Sequence, residues 1–301
     1  GLGRFVKDFY DFLHEMHRKN WKNIVRNVLC TPRPMCYNRP EVIFMTLDRP
    51  HARQAFAEYT SHYNAADPKV KLKIDHTYRV ATLCERIANS LSLPPQDVDL
   101  AWLCGLLHDV GRFEQLRRYG TFIDAKSIDH ALMSVTVLFE EGRLRDYIAG
   151  TDEDALLRTA IRLHNAYRLP EEMDDRTRMF CQILRDADKI DILRVNVETP
   201  MEQIYNVSTE ALRKSPVSPA VLDAFYEHHC VLRTLNHYPA DNAVGHASFV
   251  FELCYPESLR AVAEQGWLWK LLDFKTENPD TAKAFAGMKA EMQRWLEEHA
   301  K

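Results

Sequence analysis

Residues Val98 to Leu107 constrain this chain more than any other stretch. They are apolar nearly all round, and they run directly into His108-Asp109. A helix with apolar side chains on every side is stable only in the middle of a fold, with other helices around it. A histidine and an aspartate at the end of such a helix are costly to bury without partners. Adjacent helical residues point about 100° apart, so His108 and Asp109 can converge on one point only with help from neighbouring helices.

The rest of the sequence supplies those helices. Apolar or small residues at Ile74, Thr77, Ala81, Cys84, Ala88 and Leu91 predict an amphipathic helix over 74–91. Similar spacing predicts helices over 129–139, 154–163 and 177–195. Ser218-Pro219 reads as a capping serine with proline at the first helical position, and a last helix is expected from Asn278-Pro279 to about His299. Ten glycines and 14 prolines are too few for a turn-rich β fold. The expected class is all-α, with one dissent: Val42–Leu47 and Ser248–Tyr255 are rich in β-formers and predict a minor strand pair. The expected organisation is an N-terminal helical extension over 1–69, a core over 70–196, and a C-terminal helical extension over 197–301 packed on it.

Composition excludes several classes. With 46% hydrophobic and 27% charged residues, the chain is neither disordered nor fibrous. A net charge of -4 does not suggest nucleic-acid binding. No apolar run is long enough for a membrane span. The opening Gly1-Leu2-Gly3-Arg4 does not read as a signal peptide, and a start at Gly1 suggests a processed or tagged chain. Residues 1–73 hold 13 Lys+Arg against 7 Asp+Glu, a net +6. That excess reads either as a solvated helical surface or as an attraction for a phosphorylated ligand. Seven widely spaced cysteines with no CxxC fit reduced thiols and a cytoplasmic location.

Five features then stand in order along the predicted core: Asp75-His76, His108-Asp109, Asp129-His130, His164-Asn165 and Asp186-Ala187-Asp188. Taken singly, His76, His130 and His164 read as satisfied core histidines, and His108-Asp109 as a hydrogen bond at a helix end. Taken together, they read as a polynuclear metal site in a helical bundle. Four imidazoles and two carboxylates suit Fe, Mn, Zn, Co or Ni better than Mg or Ca.

The order His…His-Asp…His…His…Asp resembles the HD domain superfamily of metal-dependent phosphohydrolases, an all-α fold. The strings Leu106-Leu107-His108-Asp109-Val110-Gly111-Arg112-Phe113, Ser127-Ile128-Asp129-His130 and Arg185-Asp186-Ala187-Asp188-Lys189-Ile190-Asp191 carry the likeness, over roughly 70–196. The resemblance implies two divalent transition metal ions. His76, His108, Asp109 and Asp188 would hold one, and Asp109 would bridge to a second on His130 and His164. Asp188 follows alanine as the family ligand does; Asp186 is then expected to hydrogen-bond behind the ligands, and Asp191 to cap or to pair with a cation. No Gly-Tyr-Pro tripeptide marks the HD-GYP branch, and Arg112 stands where many relatives have lysine.

The implied activity is hydrolysis of a phosphate mono- or diester of a nucleotide or other small phosphorylated metabolite. A hydroxide bridging the ions would attack phosphorus in line. Asp109 and Arg112 are the expected catalytic residues. Arg112, Arg118, Lys126, Asn165 and Lys189 are the expected substrate contacts, with Arg117 and Tyr167 as further candidates. Each of the cations reads equally as an ordinary surface charge. A second reading keeps the same ligands as a diiron pair that activates dioxygen on a diol or phosphonate. A third is a non-catalytic ligand-binding protein, against which the intact ligand set argues. The flanks are read as shaping the pocket or a homo-oligomer interface.

Overall fold

The computed structural model describes residues 47–299. Among these, the chain is helical throughout and has no strand. Helix α1 (Arg49–Ser61) is capped by Asp48, whose carboxylate accepts from the His51 amide. Helix α2 (Pro68–Ser90) begins in the same way, with Asp67 accepting from the Lys69 amide and proline in the first turn. Helix α3 (Pro95–Leu107) is the buried helix expected from its sequence: every residue from Leu100 to Leu107 is buried. At about 1.5–3 kcal/mol for each large apolar side chain, Trp102, Leu103, Leu106 and Leu107 can offset the cost of the polar pair that follows them.

Five further elements complete the core. Helix α4 (Val110–Tyr119) ends on Gly120, which takes the left-handed conformation at φ 69°. Helix α5 (His130–Val135) passes into a π-helical turn over Thr136–Glu140. Helix α6 (Asp154–Leu163) is strongly amphipathic, and α7 (Asp175–Glu198) is long and central. Helix α3 lies between α2, α6 and α7, and α5 bridges α4 to α6. The C-terminal part holds α8 (Met201–Tyr205), α9 (Thr209–Lys214), α10 (Pro219–Tyr226), α11 (Pro239–Ala247), α12 (Pro256–Gln265), α13 (Trp267–Leu272) and α14 (Pro279–His299). Helices α11, α12 and α13 pack against α7.

Three sequence expectations need revision or fall outside these residues. Ser248–Glu252 is a short 3-10 helix, not a strand. Its residues are buried on consecutive sides, at Ser248 and Val250, by packing with α7 and α11, so tertiary contacts override the β propensity. The proposed partner stretch Val42–Leu47 lies outside the described residues except for Leu47. Helix α10 does begin at Pro219, but the Ser218 hydroxyl does not cap it: it donates to Asp241 Oδ2 at 2.6 Å, a buried carboxylate that also accepts the Ser218 and His237 amides. Cys84, Cys104, Cys181, Cys230 and Cys254 are free thiols. No helix among the described residues is long and apolar enough to cross a membrane.

Candidate metal centre

Six side chains, from five helices of the core and the junction between two of them, meet at one place. His76 comes from the first half of α2. His108 ends α3, and Asp109 stands in the junction before α4. His130 opens α5, His164 ends α6 and Asp188 projects from the middle of α7. Two glycines let these helices approach. A Cβ on Gly105 would lie 2.6 Å from the Ala81 Cα, so α3 sits directly on α2. A Cβ on Gly111 would lie 2.3 Å from the Ser134 amide nitrogen and 2.7 Å from the His130 carbonyl oxygen, so α4 sits directly on α5. Ser134 ties this contact down by accepting the Gly111 amide and donating to the His108 carbonyl.

The donor atoms gather on both sides of Asp109, and His108, His164 and Asp188 also lie within reach of one another. The Nε2 atoms of His76 and His108 are 3.3 Å apart. Asp109 Oδ2 lies 3.7 and 3.5 Å from them, and Asp188 Oδ1 lies 3.1 and 3.8 Å from them. The Nε2 atoms of His130 and His164 are 3.0 Å apart, each 3.8 Å from Asp109 Oδ1. Donors bound to a common ion at about 2.1 Å stand roughly 3–4 Å apart, depending on the coordination geometry, so these donors are spaced for coordination.

The outer nitrogen of each ring fixes this orientation. His76 Nδ1 bonds Asp191 Oδ2 at 2.6 Å, and His130 Nδ1 bonds Asp124 Oδ2 at 2.6 Å. His108 and His164 repeat one another: each terminates a helix, and each sends Nδ1 to the carbonyl three residues back, Gly105 and Ile161, at 2.7 Å. Carbonyls and carboxylates only accept, so each Nδ1 carries the proton and each Nε2 presents its lone pair inward.

Burial and charge keep His108, His130, His164 and both carboxylates in ligating form, and act the other way on His76. Burial, helped by the charge of Arg112, lowers His130 to about 4, and burial together with His108 lowers His164 to about 4. Burial lowers His108 as well. Burial and Lys73 also act to lower His76, but Asp188 and Asp191 outweigh them and raise it. Burial opposes the charge of Asp109, yet Lys73, His108 and Arg112 hold its carboxyl well below the usual carboxylate range. Asp188 is depressed too, since His76 and His108 outweigh its burial.

One observation tests whether the residues suit a cation. Asp109 Oδ1 is fully buried and has no hydrogen-bond partner, although it faces two imidazole lone pairs. A buried anionic oxygen among lone pairs is costly unless a cation joins them. The set fits a divalent metal: His76, His108 and Asp109, then His108, His164 and Asp188, then Asp109, His130 and His164 each bring three donor atoms within reach of one ion.

The other expected residues divide. Arg112 is at the centre but faces inward. Its Nη1 bonds Gln115, the Phe122 carbonyl and Asp124 Oδ1, while its Nε lies 3.6 Å from Asp109 Oδ1. Lys189, beside Asp188, pairs with Glu252 at 3.3 Å. Asn165 donates to Asp129, which caps α5, and Tyr167 donates to the Cys230 carbonyl. Arg117 and Arg118 are not brought to the centre: both pair with Glu114 of the same helix, a carboxylate that also accepts the Tyr63 hydroxyl. Lys126 is exposed in a 3-10 turn and bonds to none of the six ligand residues. Asp75 faces solvent and pairs with Lys71. Asp186, expected behind the ligands, turns the other way and accepts the Cys254 and Tyr255 amides and the Ser258 hydroxyl at the start of α12. Asp191 does pair with a cation, Arg79.

Sequence reasoning missed four residues. Lys73 Nζ donates to Asp109 Oδ2 at 2.7 Å, and Arg79 grips Asp191; each lies one helical turn from His76, a spacing that points to a shared face. Arg185, one turn before Asp188, donates to the carbonyls of Leu163, Ala166 and Tyr167 and so fixes the turn that holds His164. Asp124 opens the three-residue 3-10 turn before α5, too short to carry a periodicity that would reveal it.

Residues 74–193, less than half of the chain, match the family model of the HD domain. This segment, spanning most of α2 to α7, is an HD domain. Neither a curated protein nor a solved structure matches the chain.

Proposed function

We propose that the HD domain of this chain makes it a metal-dependent phosphohydrolase acting on a phosphate mono- or diester of a small, nucleotide-like metabolite. The observation that carries this reading is Asp109, whose two oxygens face two separate pairs of imidazole lone pairs. Divalent ions bound there supply Lewis acidity toward phosphoryl oxygens and lower the pKa of water.

The chain's own groups set the conditions for that chemistry. Asp109, held charged by Lys73 and Arg112, keeps the two histidine pairs in register. The four Nδ1–H bonds stop the rings from turning, so no reorganisation is needed when charge develops. Lys73 and Arg112 put two cations beside Asp109, with Phe122 packed between them at 5.9 and 5.8 Å. This favours an anionic substrate, a phosphate ester or a phosphonate, over a neutral diol. Lys73, with its single point charge, is the better placed of the two for a phosphoryl oxygen, because Arg112 Nη1 is already committed to three acceptors.

A phosphatase and phosphodiesterase screen of the chain loaded with Mn(II) or Co(II), run beside an oxygen electrode, tests the reading. Phosphate or nucleotide release without dioxygen consumption is expected. Dioxygen uptake by the iron-loaded chain with no phosphoester cleaved would overturn it.

A further inference from the structure

The surroundings of the two histidine pairs repeat one another. On one side, Arg79 donates through Nε and Nη2 to both oxygens of Asp191, at 2.6 and 2.9 Å, and Asp191 Oδ2 accepts from His76 Nδ1 at 2.6 Å. On the other side, Arg112 Nη1 and Gln115 Nε2 both donate to Asp124 Oδ1 at 2.9 Å, and Asp124 Oδ2 accepts from His130 Nδ1 at 2.6 Å. The elements involved are unrelated: α2 with α7 in the first case, α4 with the 3-10 turn before α5 in the second. Each pair is completed by a histidine at a helix end that bonds its own helix, His108 or His164. Each half therefore has one imidazole held by the backbone and one held by an arginine-fixed carboxylate.

We propose that Arg79 and Arg112 are positioning residues that act through Asp191 and Asp124, each setting the metal affinity of one half of the centre. The proposal rests on the metal-dependent reading above. A carboxylate behind an imidazole can rotate or leave its partner; a charged fork that occupies its other lone pairs fixes it. Arg79 touches none of the six donor atoms, so its influence on the centre runs through Asp191. Arg112 bonds none of them either, although its Nε approaches Asp109 Oδ1 at 3.6 Å. The two carboxylates brace different imidazoles, His76 and His130, so the two arginines act first on different donors. Arg79→Met is expected to weaken the ion held by His76 and His108 by about 10–100-fold, and Arg112→Met the ion held by His130 and His164 by a similar factor.

Cobalt(II) titration of the full chain, followed by visible absorption and by proton NMR of the hyperfine-shifted imidazole N–H signals, provides the test. The wild type is expected to bind two ions. Each methionine variant should retain one tight ion and should lose or broaden a different carboxylate-bonded N–H signal, with partial recovery in Arg79→Lys and Arg112→Lys. The lysine variants are read alone if a methionine variant does not fold. Two tight ions and unchanged signals in every folded variant would overturn the positioning role, as would equal weakening of both ions by either substitution. A wild-type chain that binds no cobalt would instead overturn the metal-dependent reading itself.

Discussion

Lys73 and Asp109 are joined by a 2.7 Å bond between groups that are 17% and 3% exposed, one helical turn before His76. The ammonium thus sits against the one carboxylate shared by both halves of the centre. If Lys73 serves the substrate, Lys73→Met should raise KM for a phosphate ester roughly 10-fold or more, since a hydrogen bond to a charged group is worth about 1.5–3 kcal/mol. Metal content should not fall. Steady-state kinetics with elemental analysis checks this, and an unchanged KM would leave Lys73 as a counter-ion to Asp109 alone.

Gly111 and Gly245 should respond oppositely to alanine. At Gly111 the added Cβ meets backbone atoms of Met133, Ser134 and His130, all under 3 Å away, and backbone cannot give as a flexible side chain can. Gly111→Ala should cost about 1–3 kcal/mol or more and displace His130. At Gly245, within α11, nothing lies within 4 Å of the added atom, and alanine should be neutral or should stabilise by up to about 1 kcal/mol. Denaturant midpoints at unchanged m-value decide the comparison.

The buried histidines predict a pH dependence of the metal-free chain. Burial, with His108 nearby, lowers His164 to about 4, whereas an unfolded chain takes up this proton near 6.5. Between those values the unfolded state binds more protons, so stability is full above about 6.5 and declines as pH falls toward 4. His164 alone should account for a loss on the order of 2–3 kcal/mol. His130, lowered to about 4 by burial and Arg112, adds a loss of the same sign. Urea unfolding in the presence of a chelator should show this slope, and His164→Gln should reduce it. An equal slope in the variant would contradict the assignment.

Much of the architecture was legible because helices leave periodic traces. The all-round apolar run of α3 announced a central helix, and Asn278-Pro279 marked the start of α14. The six inward groups were legible only as an ordered set: singly the histidines read as satisfied core residues, and their assignment to one centre came from the resemblance to the HD domain. What could not be read was where long side chains go. Arg112 and Arg118 both follow Asp109 on α4, six residues apart, yet one turns toward Asp124 and the other toward Glu114, because only the packed neighbours decide which acceptor is near. Asp186 and Asp188 differ by two positions on α7 and therefore face apart, and the partner that holds Asp186 comes from a backbone turn some 70 residues later. Ser248–Tyr255 misled for the same reason: its β-forming residues answer to packing against α7.

The most direct test of the central claim is metal per chain in the wild type and in Asp109→Ala, measured after reconstitution and desalting, with circular dichroism on the same samples. The expected result is close to two transition metal ions per wild-type chain and far fewer than one in the variant, with the helical spectrum unchanged. A variant that keeps two ions, or one that is metal-poor yet fully active on a phosphate ester, would contradict the account.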